Sequence, residues 1–365
     1  MGAMGAITDV TGIRVGHVQK SGDGWLSGVT VVLPPPGTVA SVDVRGGGPG
    51  THETDALDPT TLTSTVDAVV LTGGSAYGLV SAHGAQRWCE ENGRGFGVRG
   101  GVVPIVPAAA IFDLARGGNF AARPDADMGY AATAAAAAQK DGHDVERGNV
   151  GAGTGAAIGR GQYKGGVGTA SISLDNGVVV GALAVVNALG LPFGAPSRRA
   201  EPGSVRLSGG PDGGVPSPSL RGEGAGGEEQ AGTQRVSAVG TEAGDGAPRA
   251  EDPRAPEAQP LNTTLVVVAT NAALDKAECK RTASAAHAGL ARAVNPSHTL
   301  ADGDTVFCLA TGAVALDRST EPARQLSLLT LQSAAADVVR AAILDGIASA
   351  EAVSTPAGRL DAYGG

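Results

Sequence analysis

The chain has 365 residues, 42% of them hydrophobic, with 58 glycines and a formal net charge of −9. That is room for one large domain or two ordinary ones, and the acidic balance argues against a nucleic-acid partner, which needs a basic footprint. Aromatics make up only 3% of the residues, so the core must be built from Val, Leu, Ile and Ala, and the glycines imply tight turns and close backbone approaches.

In chain order, strands are expected at Gly12–His17, Val29–Leu33 and Val39–Arg45, the last running into Gly46-Gly47-Gly48-Pro49-Gly50. Asp67–Leu71 reads as a buried strand, followed by Thr72-Gly73-Gly74-Ser75 and a helix reaching to near Glu91, with Ser75 as its cap. A strand is expected at Val102–Val106, bracketed by Pro104 and Pro107, and an Ala-rich helix at Gly129–Lys140. Then come three β-like runs, Gly151–Gly159, Gly165–Leu174 and Val178–Val186. The last two are joined by Asp175-Asn176-Gly177, a hairpin signal suited to a type I′ turn.

Residues 193–260 are dominated by Gly, Pro, Glu, Ala, Ser and Arg and read as a flexible linker. Beyond it lie an apolar strand from Thr263, a helix near Leu274–Val294, a strand at Thr305–Ala310 and a long helix near Glu321–Ala350. Strands and helices that cluster rather than alternate strictly point to a layered α+β fold.

The most informative stretch is Asn262-Thr263-Thr264, which opens the buried strand directly after the linker. A cut between Asn262 and Thr263 would leave a hydroxyl and an α-amine on one residue. An α-amine of pKa about 7.7–8.0 is a suitable base for its own hydroxyl. The same three residues also fit a glycosylation sequon, and a strand that simply begins with two threonines. Asp302 and Asp304, in Thr299-Leu300-Ala301-Asp302-Gly303-Asp304-Thr305, share a face if the backbone is extended, where they would orient the Thr263 amine or a substrate amine. An ordinary Asp-Gly turn explains the same spacing.

Other motifs carry less. Gly151-Ala152-Gly153-Thr154-Gly155 lacks the dinucleotide spacing, Gly46–Gly50 is not followed by Gly-Lys-Ser/Thr, and Tyr77 stands where a nucleophile elbow at Ser75 needs glycine. The histidines (His17, His52, His83, His143, His287, His298) form no metal pattern, and only His298 lies near the Asp302 loop. Cys89, Cys279 and Cys308 read as reduced core thiols. Neither a metal nor another cofactor is expected. With no basic-plus-apolar leader at Met1–Ala6 and no stretch up to Val178–Leu191 long enough to span a bilayer, the expectation is a cytoplasmic protein without a membrane partner.

Taken together, several motifs in order resemble the L-aminopeptidase/D-esterase (DmpA-type) family of self-processing N-terminal-nucleophile hydrolases, which includes β-peptidyl aminopeptidases and the nylon-oligomer hydrolase. They are Gly5–His17, Val42–Thr51, Glu53–Asp55, Leu71–Leu79, Val103–Asp113, Val150–Gly155, Asn262–Thr264 and Asp302–Phe307. The resemblance implies an αββα sandwich of the DmpA/ornithine-acetyltransferase-like type. It also implies self-cleavage into pieces 1–262 and 263–365 that together form one catalytic domain, and a homo-oligomer, usually a tetramer of processed heterodimers.

By the same resemblance, Thr263 is the nucleophile, Asn187 the oxyanion-hole amide and Asp302 with Asp304 the acidic pair. Small peptides, amides or esters would be the substrates. Phe112 stands where relatives carry a tyrosine and Arg160 where the nylon-hydrolase branch carries a lysine; with Tyr77, these are candidate pocket residues. Two other readings fit the same residues: an ornithine-acetyltransferase-like acyl transferase, and an uncut small-molecule-binding relative without activity.

Overall fold

The computed structural model describes residues 5–193 and 262–364, so the expected linker lies outside the described residues except for Phe193. The elements that build the fold are, in chain order, β1 (Arg14–Gly22), β2 (Trp25–Leu33), β3 (Val39–Val44), β4 (Thr51–His52), β5 (Val69–Thr72), α1 (Ser81–Glu91), β6 (Ala108–Ala110) and α2 (Ala126–Ala138). They continue with β7 (Val167–Ser173), β8 (Val179–Asn187), β9 (Thr263–Ala272), α3 (Lys276–Ala293), β10 (Thr305–Val314) and α4 (Glu321–Ala348).

One five-stranded sheet has the order β1-β2-β5-β6-β4 and the other β7-β8-β9-β10-β3. Both run antiparallel, antiparallel, parallel, antiparallel across their neighbours.

Strand periodicity explains the stacking. Along β9, Leu265, Val267 and Ala269 pack between the sheets with Val32, Leu71, Ile111, Leu183 and Phe307, while Val266 and Val268 face the other way into a cluster with Leu290, Val339 and Ile343 of α3 and α4. A strand buried on both faces reads as a continuous apolar run, which is why Leu265–Ala269 shows no polar alternation. On the outer side of the first sheet, Val29, Val31 and Val70 pack with Ala82, Ala85, Ala132 and Ala136 of α1 and α2. The result is the four-layer αββα sandwich, an α+β fold. The 28-residue helix α4 is apolar enough to span a membrane, yet Val339, Ala342 and Ile343 on it are fully buried against the sheet.

Local chemistry corrects several expectations. Gly151–Gly159 is not one strand but a short 3₁₀ turn at Gly151–Gly153 and a two-residue strand at Ala157–Ile158, because a glycine- and alanine-rich run imposes no period-2 burial. The Val102–Val106 strand is also displaced: Gly101–Val103 belongs to a small exposed hairpin and the sheet strand is Ala108–Ala110, beyond Pro104 and Pro107, which lack a ladder N–H. Ser75 does not cap a helix; it has φ 54° and its N–H donates to Ile111 O at 2.9 Å, while Gly74 precedes the turn at φ 77°.

The Asp175–Gly177 hairpin is present, but among its turn residues only Gly177 has positive φ, so the turn is not type I′. That geometry occurs instead at Asp23-Gly24, where both φ values are positive and Gly22 pairs with Trp25.

Candidate active site

The site is assembled at the head of β9. Thr263 is the first residue of that strand and stands opposite Asn187, the last residue of β8, in the antiparallel ladder. Just before it, Asn262 bridges to Asp302 in parallel sense. The Asn262 N–H donates to Ala301 O at 2.9 Å, and the Gly303 N–H donates to Asn262 O at 2.9 Å. The Thr263 Oγ1 hydroxyl donates to that same carbonyl oxygen at 2.5 Å. A hydroxyl and a backbone N–H thus converge on the carbonyl of one peptide bond, and Asn262, Thr263 and Asn187 are all buried.

The Asp302–Asp304 loop holds this strand head. Asp304 Oδ1 accepts from Thr264 N at 2.7 Å, while its Oδ2 accepts from His298 N at 3.0 Å and lies 2.8 Å from His298 Nδ1. Asp302 Oδ2 instead accepts from Thr299 N at 2.8 Å and Thr299 Oγ1 at 2.7 Å, so it closes the turn that the Asp-Gly pair suggested. The Asp302 carboxyl is raised above its ordinary value, chiefly by burial; the Asp304 charge pushes the same way and the Thr299 donors oppose it.

Glycines make this loop fit. The N–H groups of Gly46, Gly47 and Gly48 donate to the carbonyls of Asp304, Thr299 and Asp302 respectively, so this run is a backbone splint for the Asp loop and its donors already have partners. A Cβ on Gly46 would lie 2.2 Å from Asp302 O, and one on Gly303 would lie 2.7 Å from Thr263 Oγ1. Only the absence of a side chain permits either approach.

The other side of the site comes from the first sheet and the Gly151–Gly166 region. Asn187 Oδ1 accepts from Ala157 N at 3.0 Å and from Arg116 Nη1 at 2.5 Å, whereas Asn187 Nδ2 has Phe112 O at the long distance of 3.4 Å. Burial lowers Arg116 to about 10, against the raising pull of Asp113, so it stays charged at neutral pH. Lys164, fully buried, donates through Nζ to Gly153 O at 2.7 Å, Ala156 O at 3.0 Å and Gly165 O at 2.6 Å. Burial holds its pKa well below the ordinary lysine value, while those acceptors match the donors of an ammonium.

Asp113 anchors both glycine motifs. Its Oδ1 accepts from Gly74 N at 2.6 Å, and a Cβ on Gly73 or on Gly155 would lie 2.2 Å from its Oδ2. Burial raises the Asp113 carboxyl, with the Gly74 N–H and Arg116 opposing.

Of the residues singled out from sequence, Thr263, Asn262, Asn187, Asp302 and Asp304 come together. Phe112 contributes a backbone carbonyl beside Asn187. Tyr77 is 54% exposed, edge-on to Phe120 at 6.4 Å and beneath the Arg123 guanidinium at 3.8 Å. Arg160 is exposed at φ 60°. Arg116, Lys164 and Gly303 were not singled out; the nearest sequence signal for Lys164 is that it sits directly before Gly165-Gly166 at the entry to the strand at Val167.

The site thus sits in a double-sheet αββα sandwich whose central strand begins with a buried hydroxyl, beside an amide and an acidic loop. The chain belongs to Peptidase family S58, whose model matches residues 5–360. It is 47% identical over 367 residues to an uncharacterised aminopeptidase of Mycobacterium tuberculosis, covering 96% of each chain. With one from Mycobacterium leprae it shares 46% over 369 residues, covering 96% of this chain and 92% of that one.

Among solved structures, the L-aminopeptidase D-Ala-esterase/amidase of Ochrobactrum anthropi, described as a variant of the Ntn hydrolase fold, is similar with a TM-score of 0.66 at 22% identity, covering 99% of this chain and 92% of that one. A Burkholderia β-aminopeptidase gives a TM-score of 0.64 at 24% identity, covering 100% and 93%. These likenesses establish the shared fold.

Proposed function

We propose that the chain cuts itself between Asn262 and Thr263 and then works as a threonine N-terminal-nucleophile aminopeptidase or amidohydrolase. It would release N-terminal residues from small peptides, amides or esters through an acyl-Thr263 intermediate. The observation that carries this reading is the Thr263 hydroxyl lying 2.5 Å from the carbonyl oxygen of the preceding peptide, opposite Asn187 on the ladder. Membership of a peptidase family and the aminopeptidase names of the relatives support it.

In the precursor, Thr263 Oγ attacks the Asn262 carbonyl carbon, the C–N bond breaks, and water hydrolyses the resulting ester. The freed Thr263 amine then serves as base for its own hydroxyl. Oγ attacks the substrate carbonyl, and Asn187 Nδ2 donates to the oxyanion, where removing one such donor from an enzyme typically costs about 3–4 kcal/mol. Asp304, already bonded to the Thr264 N–H, supplies negative charge next to the new ammonium. The processed pieces are proposed to assemble further as a cytoplasmic homo-oligomer, which light scattering after size exclusion reads directly.

Denaturing intact-mass spectrometry of the protein beside Thr263→Ala tests the cut. The expected result is two masses that sum to the precursor plus one water, the smaller beginning at Thr263, with the variant uncut and inactive. Two fragments from Thr263→Ala would overturn the mechanism; a single uncut, inert wild-type chain would favour a non-catalytic relative.

A further inference from the structure

We infer that Arg116 is a positioning residue: its guanidinium fixes which end of the Asn187 amide faces the carbonyl under attack at Thr263. This rests on the reading of Thr263 and Asn187 given above. An asparagine amide has an accepting end and a donating end of nearly the same shape, and its neighbours decide which way it points. Opposite Thr263, only the donating end stabilises an oxyanion.

The neighbours here are all donors on one side. Oδ1 receives Arg116 Nη1 at 2.5 Å and Ala157 N at 3.0 Å. A guanidinium has no accepting atom, so a flipped amide would set NH₂ against N–H and leave buried donors without partners. Among the described residues, the hydrogen bond of Nδ2 is to Phe112 O at the long distance of 3.4 Å, which leaves that N–H group available for a developing charge.

Arg116 is itself fixed. The same Nη1 donates to Gly155 O at 2.5 Å, and the Arg116 carbonyl accepts from Thr355 Oγ1 at 2.7 Å. Its charge also polarises the amide through Oδ1, which makes the Nδ2–H group a stronger donor. Arg116 stands in the loop after β6, in the first sheet, and acts on the last residue of β8, in the second. Its hydrogen bond to Asn187 Oδ1 is the route by which it acts on the chemistry.

The test is a double-mutant cycle on the processed, purified enzyme, with kcat and KM measured on an amino-acid p-nitroanilide. Arg116→Met should lower kcat about 10–100-fold, less than the roughly 10²–10³-fold cost of losing an oxyanion donor outright, because Ala157 still holds Oδ1. KM should move less than about threefold, and Arg116→Lys should recover part of kcat. In an Asn187→Ala background, Arg116→Met should add less than about threefold, since two residues acting through one contact are not additive.

Equal losses in both backgrounds, or a loss confined to KM, would overturn the role of Arg116 alone. Wild-type kcat in Asn187→Ala would instead remove the reading of Asn187, and this proposal with it. Should Arg116→Met fail to fold, the same cycle with Arg116→Lys decides between additive and non-additive loss.

Discussion

The two sheets share one pattern of strand directions but divide the work of the site unequally. In the first, the parallel pair β5 and β6 delivers its C-terminal ends to the site, through Gly73-Gly74 and the Phe112–Arg116 loop. In the second, the parallel pair β9 and β10 delivers its N-terminal ends, Thr263 and the Asp302–Asp304 loop. The nucleophile candidate is fixed by backbone: a ladder partner on one side, a bridged peptide on the other, and an N–H on its own scissile carbonyl. The first half contributes the buried Asp113 and the half-buried Arg116, and the Arg116 guanidinium reaches the second sheet through Asn187. The second sheet thus carries the reactive position with its acidic loop, and the first lends Arg116 to the support of Asn187.

Three tests, using four substitutions, press on that division. Asp304→Asn should slow formation of the fragments roughly 100-fold or more, since hydrogen bonds to a charged group are worth ~1.5–3 kcal/mol each and an amide cannot accept all those now made by Thr264 and His298. A time course on a denaturing gel reads it; unchanged cleavage would mean the ladder alone holds the strand head.

Phe307→Ala empties the inter-sheet core that both halves share, and should cost about 3–5 kcal/mol in denaturant unfolding while the protein still cuts itself. A cost near zero would mean that the two sheets do not depend on this packing.

The smallest effect is a pH slope with one contribution from each half. Burial lowers His17 on β1 and His287 on α3 to about 4, His17 beside His143, and His287 beside His298, Asp43 and Arg45. In the unfolded chain each titrates near 6.5, so between about pH 6.5 and 4 the unfolded state binds protons that the folded state refuses. Stability should therefore be flat above that window with respect to these groups and fall as pH drops through it. His17→Gln and His287→Gln should each remove up to about one proton from the slope of Tm-derived stability against pH. A slope unchanged by both would show that the loss of stability in acid comes from carboxylates.

Much of the fold was legible because burial on both faces writes itself into composition. The Thr263–Thr270 run, the β7–β8 hairpin and the long last helix all follow from apolar periodicity and turn residues. Where glycine and alanine dominate, as at Gly151–Gly159, small side chains carry no such signal, and the structure has a turn where the sequence suggests a strand.

The candidate site was legible in its acidic loop and strand head, which are short and contiguous. Arg116 was not, since its partner Asn187 is 71 residues away and a single arginine in a glycine-rich loop has no local signature. The Gly46–Gly48 run was visible, but its purpose required seeing the Asp302 turn lying against it.

The strand order of the second sheet has a consequence for how the processed protein holds together. On the proposed cut, strands β9 and β10 would belong to the piece beginning at Thr263; they lie side by side with β8 on one flank and β3 on the other, which would both belong to the piece ending at Asn262. The smaller fragment would therefore be clasped along both of its strand edges. Releasing it would expose two hydrogen-bonding edges and open all the layers that meet on that sheet. Such a pair should stay together on dilution while folded, and because its two chains would part on unfolding, its Tm should rise with protein concentration.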